Sequence, residues 1–360
     1  MKKLFISIIV IIFLINTLNA TDNNNNKEKA KKLCLEAVEL MDKGDFKKAI
    51  ELLDSAIALD PKPITYPYER AVSYFKMSEW QIAAHLFDSL RNHPEVNDQV
   101  YQMLGNCYSF TSEYEKALDV LNEGIKKFPN SGRLYFGLGI AEFGLNNFEN
   151  MLYDWYKGIH VEPTFAMTYY HLADYYYNSE QKIWAIIYFE YFMNLTNNIR
   201  KMYESSESLF DSYRKVFYNA VENTHGLNFI GNINEDSISK IERYEFMEAY
   251  QAVIEQIRNP KLPQEPNELK IIEVTNYRAD FLRLWFDNKL NEKFPEPLFD
   301  YQKKLLDGGL FTEYNFWLLK EANKEEYNTW KKDNLEQFKR FLRWLEKNSF
   351  ENFLTLKKGN

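Results

Sequence analysis

The amino-acid sequence predicts an all-α fold. It reads as an α-α superhelix of five helical hairpins, a right-handed solenoid, followed by an irregular helical C-terminal region. Three observations carry this expectation. Segments beginning at residues 30, 64, 98, 132 and 166 repeat one residue pattern at a period of 34, the length of a helix–turn–helix unit that stacks on its neighbours. Proline recurs near the ends of four units, at Pro61, Pro94, Pro129 and Pro163. From residue 200 onward the helical spacing of apolar residues persists while the period disappears.

Each part of the pattern has a physical role. Small residues at unit positions 8 and 20 mark where the two helices of a hairpin cross: Ala37 with Ala49, Ala71 with Ala83, Gly105 with Ala117, Ala173 with Ala185. Large residues at positions 4, 7, 11 and 24, such as Leu53, Phe87, Leu121, Leu138, Tyr169 and Phe189, fill the space around the crossing at near-crystalline density. Proline at position 32, one place early at Pro94, cannot continue a helix and closes helix B. The pattern resembles the tetratricopeptide repeat (TPR) family over units 30–63, 64–97, 98–131, 132–165 and 166–199. Departures predict local differences. Glu142 and Met151 at positions 11 and 20 of the fourth unit imply a looser or reshaped crossing. Phe192 and Asn197 at positions 27 and 32 of the fifth leave its helix B free to run on toward Arg200 and Lys201. A sixth unit would place Glu207 at position 8, so the array stops.

The resemblance implies that the first helix of each unit lines a concave side, with positions 2, 5, 9, 12 and 13 facing inward. On this chain those positions supply Tyr68, Val72 and Phe75, then Gln102, Asn106 and Phe110, then Arg133, Phe136 and Phe143, then Tyr170, Asp174 and Tyr177. Aromatic faces give recognition surfaces large contact areas. Asn106 can bond both donor and acceptor of a peptide unit, and Arg133 can fork onto a carboxylate. The implied partner is a protein or peptide segment; the alternative is that these aromatics pack on neighbouring helices or on the C-terminal half. A lysine–asparagine grip on a C-terminal carboxylate is ruled out, because positions 5 and 9 of the first helix are Cys34 and Val38.

The chain opens on Lys2 and Lys3, an apolar run from Leu4 to Ile15, and a candidate cut after Ala20. That is the layout of a secretory signal over residues 1–20, with an uncleaved anchor as the alternative because Leu18 stands at the −3 place. A bilayer span needs ~20 apolar residues, which the run does not reach. Residues 21–29, asparagine-rich, are expected to be a disordered tether. No cysteine directly follows the run, so lipid attachment is not expected. The implied setting is the bacterial envelope, periplasmic or secreted.

Net charge is −8, and neither half is basic. Binding to a phosphate backbone is therefore disfavoured. Cys34 and Cys107 sit two units apart, farther than the ~7 Å between Cα atoms that a disulfide allows, and are read as free apolar fillers.

In residues 200–360 the apolar spacing predicts a helix over about 200–221 that caps the array, then a loop at Gly226 and Gly231. Asp236 or Ser237 caps a helix to Arg258, Pro260, Pro263 and Pro266 form a stiff linker, and Asn267 opens a third helix. A helix over 298–306 ends at Gly308 and Gly309. Asn323 with Glu326, and Asp333 with Glu336, have the spacing of capping boxes. The last helix presents Phe338, Phe341, Leu342 and Leu345 on one face, opposite Lys339, Arg340, Arg343 and Lys347. Such a helix could lie on a membrane; packing on its own domain is the expectation, with no membrane contact.

None of His85, His93, His160, His171 and His225 stands in a metal-ligand or catalytic motif, and no phosphate-cradling glycine loop or nucleophile elbow occurs. The expected function is a protein–protein interaction adaptor or scaffold without catalytic residues, cofactor or metal. The alternatives are a hydrolase or transferase carried by the C-terminal helices, with the repeats as a targeting arm, and a structural spacer.

Overall fold

The structure, a computed structural model, describes residues 24–219, 237–257 and 265–358. The expected signal segment, the loop at Gly226 and Gly231 with His225, and Pro260 and Pro263 lie outside the described residues. The described residues are helical with no strand. The chain divides into two units, Met1–Asn147 and Phe148–Asn360, each compact in itself. The division falls within the fourth hairpin rather than after residue 199, where the sequence placed it.

The first unit contains α1 (24–42), α2 (Phe46–Leu59), α3 (Thr65–Lys76), α4 (Trp80–Leu90), α5 (Asp98–Phe110), α6 (Tyr114–Lys127) and α7 (Gly132–Gly144). Helix α1 begins at residue 24, so most of the expected tether is helical; Lys27, Glu28, Lys29 and Ala30 are all good helix formers. The helices pair as expected. Ala37, Ala49, Ala71, Ala83 and Ala117 are fully buried at the crossings. At Gly105 a β-carbon would come within 2.7 Å of the Leu121 side chain, so this crossing is closer than any other residue allows. Cys34 and Cys107 are free and buried.

The period is written in the backbone as well. Gly44 (φ 81°), Ser78 (62°), Ser112 (59°) and Asn146 (60°) are left-handed residues 34 apart, each between helix A and helix B of a unit. The residue after each closes the turn with the same bond, from Asp45 N to Leu40 O, Glu79 N to Tyr74 O, Glu113 N to Tyr108 O and Asn147 N to Glu142 O, at 2.8–3.0 Å. Glycine enters this conformation without strain, whereas serine and asparagine do so at a cost of about 1 kcal/mol.

The second unit contains α8 (Phe148–Val161), α9 (Ala166–Tyr177), α10 (Lys182–Leu195), α11 (Ile199–Asn219), α12 (Ser237–Ile257), a 3-10 turn (Pro266–Glu268), α13 (Ile271–Asp287), α14 (Leu290–Lys293), α15 (Pro297–Asp307), α16 (Phe311–Leu318), α17 (Lys324–Asp333), α18 (Leu335–Lys347) and α19 (Phe350–Lys358). Its centre is α10, where every residue from Ile183 to Met193 is buried. A helix apolar on all sides must be covered on all sides, and α9, α11, α15 and α19 pack around it. The fifth hairpin and the C-terminal helices therefore share one core, which is why the compact unit includes both.

Several local expectations are corrected. Helix α10 does not run on: Thr196 is extended (ψ 147°), and α11 starts afresh at Ile199. Asn267 lies in the 3-10 turn, and α13 starts at Ile271 behind Lys270, whose backbone N–H donates to the Glu273 carboxylate at 2.8 Å. Asn323 caps α17 through Glu326 N at 3.1 Å, but Asp333 is the last residue of α17, and Asn334 precedes α18 without a side-chain cap. Helix α18 does pack on its own unit through Phe338 and Phe341, whereas Leu342 is exposed.

Gly44→Ala is expected to destabilise the protein by about 1 kcal/mol in urea denaturation, because the β-carbon meets nothing within 4 Å and only the left-handed backbone opposes it. A Gly44→Ala chain as stable as the parent would show that these turns carry no strain.

Candidate functional site

In the first unit, packing of α3 on α5 and of α5 on α7 sets the first helices of successive hairpins side by side. Tyr68 on α3 is half-buried with its ring edge on Phe87 at 5.5 Å. Burial and then Glu69 push its phenol up to about 12. Phe75 meets Phe110 edge-on at 5.5 Å, and Phe110 stacks on Trp80 at 5.1 Å. Phe110 nevertheless remains 55% exposed and Phe143 52% exposed.

One and two turns before Phe110 on α5 stand two amides with unspent capacity. Gln102 is half-buried and its side chain makes no hydrogen bond among the described residues, and Asn106 has only a weak contact to the Met103 sulfur at 4.0 Å. Arg133 is differently placed from the sequence expectation. Its guanidinium stands 3.2 Å from the Asp98 carboxylate, which also accepts from the Ser131 hydroxyl at 2.6 Å. It is thus engaged by its own chain. Phe136 is buried at 8% exposure and offers no open ring.

The residues expected from the fifth hairpin lie in the second unit, and their surroundings differ. Tyr177 donates to Asp211 on α11 at 3.0 Å, while the Lys182 and Lys215 ammonium groups lie 5.5 and 4.9 Å from its ring centre. Tyr170 packs on Phe192 and lies under Lys201, 3.7 Å from the ring centre. Asp174 is exposed. Helix α11 therefore occupies much of what the sequence assigned to a ligand here.

Helix pairs at a 34-residue period, small residues at each crossing and a left-handed turn between the helices decide the architecture. The hairpins have the tetratricopeptide (TPR) fold. No family model matches the chain. Solved structures similar to it include MamA (residues 41 to the end) from Desulfovibrio magneticus RS-1, 20% identical, covering 46% of this chain and 94% of that one, TM-score 0.37. Another is TTC0263, a TPR protein of Thermus thermophilus, 16% identical, covering 50% and 98%, TM-score 0.44. A third is PilF of Pseudomonas aeruginosa, 17% identical, covering 54% and 94%, TM-score 0.41.

Beyond the TPR face, the second unit holds a polar centre that the sequence reading missed. Glu190 on α10 is fully buried and Arg278 on α13 is 5% exposed. The Arg278 guanidinium donates to both Glu190 oxygens at 2.6 Å, and its other arm donates to Asn315. Glu190 also accepts from Tyr213 (2.6 Å), Gln302 (2.8 Å) and Tyr314 (3.2 Å). Donors from α11, α13, α15 and α16 thus converge on one carboxylate. Its lone pairs are filled, which leaves it unsuited to general-base work. The signal was present in the sequence: Glu190 is the single charge in the apolar run Ile183–Met193, and a charge so placed needs a buried partner. A second link is Glu296, which accepts from Tyr191 at 2.5 Å and caps α15 through Leu298 N.

His171 is held by burial, and then by Lys201, down to about 4, so it is neutral at pH 7. Among the described residues, no three His, Cys, Asp or Glu side chains gather as a metal ion requires, and no helix is long and apolar enough to cross a membrane.

Glu190→Leu is expected to cost about 3–5 kcal/mol, because Arg278 is left buried without its counter-charge. Adding Arg278→Met should recover much of the loss; a double variant no better than the single one would refute the coupling. Stability is also expected to fall between pH 6.5 and about 4, since the unfolded chain takes up a proton that folded His171 refuses. That component amounts to ~3 kcal/mol at most and should be absent from the pH series of a His171→Gln chain.

Proposed function

We propose that this chain is an exported, non-enzymatic TPR adaptor that holds a segment of another envelope protein against the aromatic face of α3, α5 and α7. The observation that carries the reading is the combination on that face: Phe110 and Phe143 more than half exposed, beside the amides of Gln102 and Asn106. Exposed rings favour contact with an apolar segment. The amides can pair with polar groups of the segment's backbone that would otherwise be desolvated without partners. The face of residues 30–147 supports this better than the fifth hairpin, where α11 covers Tyr177. Export is supported by Lys2, Lys3 and the apolar run Leu4–Ile15. A catalytic C-terminal region draws no support from the polar centre around Glu190, whose carboxylate is closed in and fully bonded.

The test is crosslinking and pull-down from envelope fractions with the full chain. Phe110→Ala combined with Asn106→Ala should reduce recovery of a specific partner by about tenfold or more while the chain stays folded by circular dichroism, with only a modest fall in Tm from the lost contacts to Phe75 and Trp80. Equal recovery by the variant would exclude this face. Arg133→Ala is a poor probe because it breaks the Asp98 contact. N-terminal sequencing of the mature protein is expected to begin at Thr21; a start at Met1 would show that the leader is retained.

A further inference from the structure

We propose that the void beside the Glu190–Arg278 pair is a hydrated site, holding one or two ordered water molecules against Gln302 and Tyr250. The void measures about 20 Å³, and Ile186, Glu190, Tyr213, Tyr250, Arg278 and Gln302 are among its walls. A single water needs ~10–15 Å³ measured in this way, so the space suits water and excludes organic ligands. Size alone does not fill a cavity, because apolar cavities of larger volume stay dry. The polar groups in the walls decide the matter.

Gln302 is 4% exposed and its amide nitrogen donates to Glu190 at 2.8 Å. A carboxylate paired with arginine only accepts, so the nitrogen is fixed on that side and the amide oxygen is turned away. That oxygen has no partner among the described residues. Tyr250 is equally buried, its ring packed on Phe281 at 4.3 Å, and its hydroxyl has no partner among them either. Tyr250 stands in the wall of the same void as Glu190 and Arg278. Two other phenols at this centre, Tyr213 and Tyr314, are spent on Glu190 itself. Gln302 and Tyr250 thus both line a space of water's size, and neither the amide oxygen of the one nor the hydroxyl of the other has a partner among the described residues. A water there would give Gln302 a donor and Tyr250 a partner for its O–H, and would complete the shell around the ion pair.

The test is a crystal structure of the full chain at a resolution that shows ordered water, with a second crystal pressurised with xenon. Density within hydrogen-bond distance of Gln302 Oε1 and Tyr250 Oη, with no xenon in the void, is the expected result. An empty void, or one that takes up xenon, would overturn the proposal. In solution, water ¹⁷O relaxation dispersion counts long-lived internal waters. The folded Tyr250→Phe, Gln302→Met chain should lose at least one relative to the parent, and an unchanged count would equally refute the site.

Discussion

The carboxylate of Glu190 determines how the C-terminal helices can be arranged. Burying an ion pair gives little net stability, because desolvating two charges offsets most of their attraction. What it supplies is position. Once Glu190 is inside, only arrangements that bring Arg278, Tyr213, Gln302 and Tyr314 to it leave no charge unanswered, and each of these comes from a different helix. Apolar packing alone would tolerate rotations and slips of those helices; five hydrogen bonds to one group do not.

The same repeat position behaves differently earlier in the chain. Position 25 is Asp54 in the first hairpin and Asp88 in the second, both exposed, paired with Arg70 and Arg91 in simple surface ion pairs. In the fifth hairpin the position has become Glu190, and its arginine is Arg278, in a helix far along the chain. A solvent-facing acidic site has thus been turned into an internal anchor by covering the B helix on every side. The cover is aromatic to an unusual degree: Phe246, Tyr250, Phe281, Trp285 and Phe299 contact one another at centroid distances of 4.3–6.4 Å.

How far the sequence revealed this differs from region to region for physical reasons. The hairpins were legible because their constraints are local and periodic: Ala at a crossing and proline after helix B mean the same thing wherever they recur. The C-terminal helices were legible as helices, with errors at Asn267 and Asp333, where a cap is chosen by tertiary contacts such as Glu326 accepting from Ile271 N and Ile272 N. Their arrangement was not legible, since no local rule links Glu190 to Arg278. On the face of α3, α5 and α7, Phe110 is exposed and Phe75, Gln102 and Asn106 are half-buried. Arg133, Phe136 and Tyr177 were assigned outward roles by position alone, and Asp98, burial and α11 took them instead. A register gives the direction of a side chain; it cannot say what already stands there.

The left-handed turns at 44, 78, 112 and 146 bear on how such a chain can change its length. Each hairpin turns there in the same backbone shape as the one before, so a 34-residue copy spliced in between two such turns meets compatible ends. The fifth hairpin lacks that interchangeability, since α10 is apolar around its whole circumference and cannot face water. A further hairpin can therefore be accommodated upstream of the fifth, whereas α10, buried from Ile183 to Met193, cannot be repeated without exposing an apolar surface.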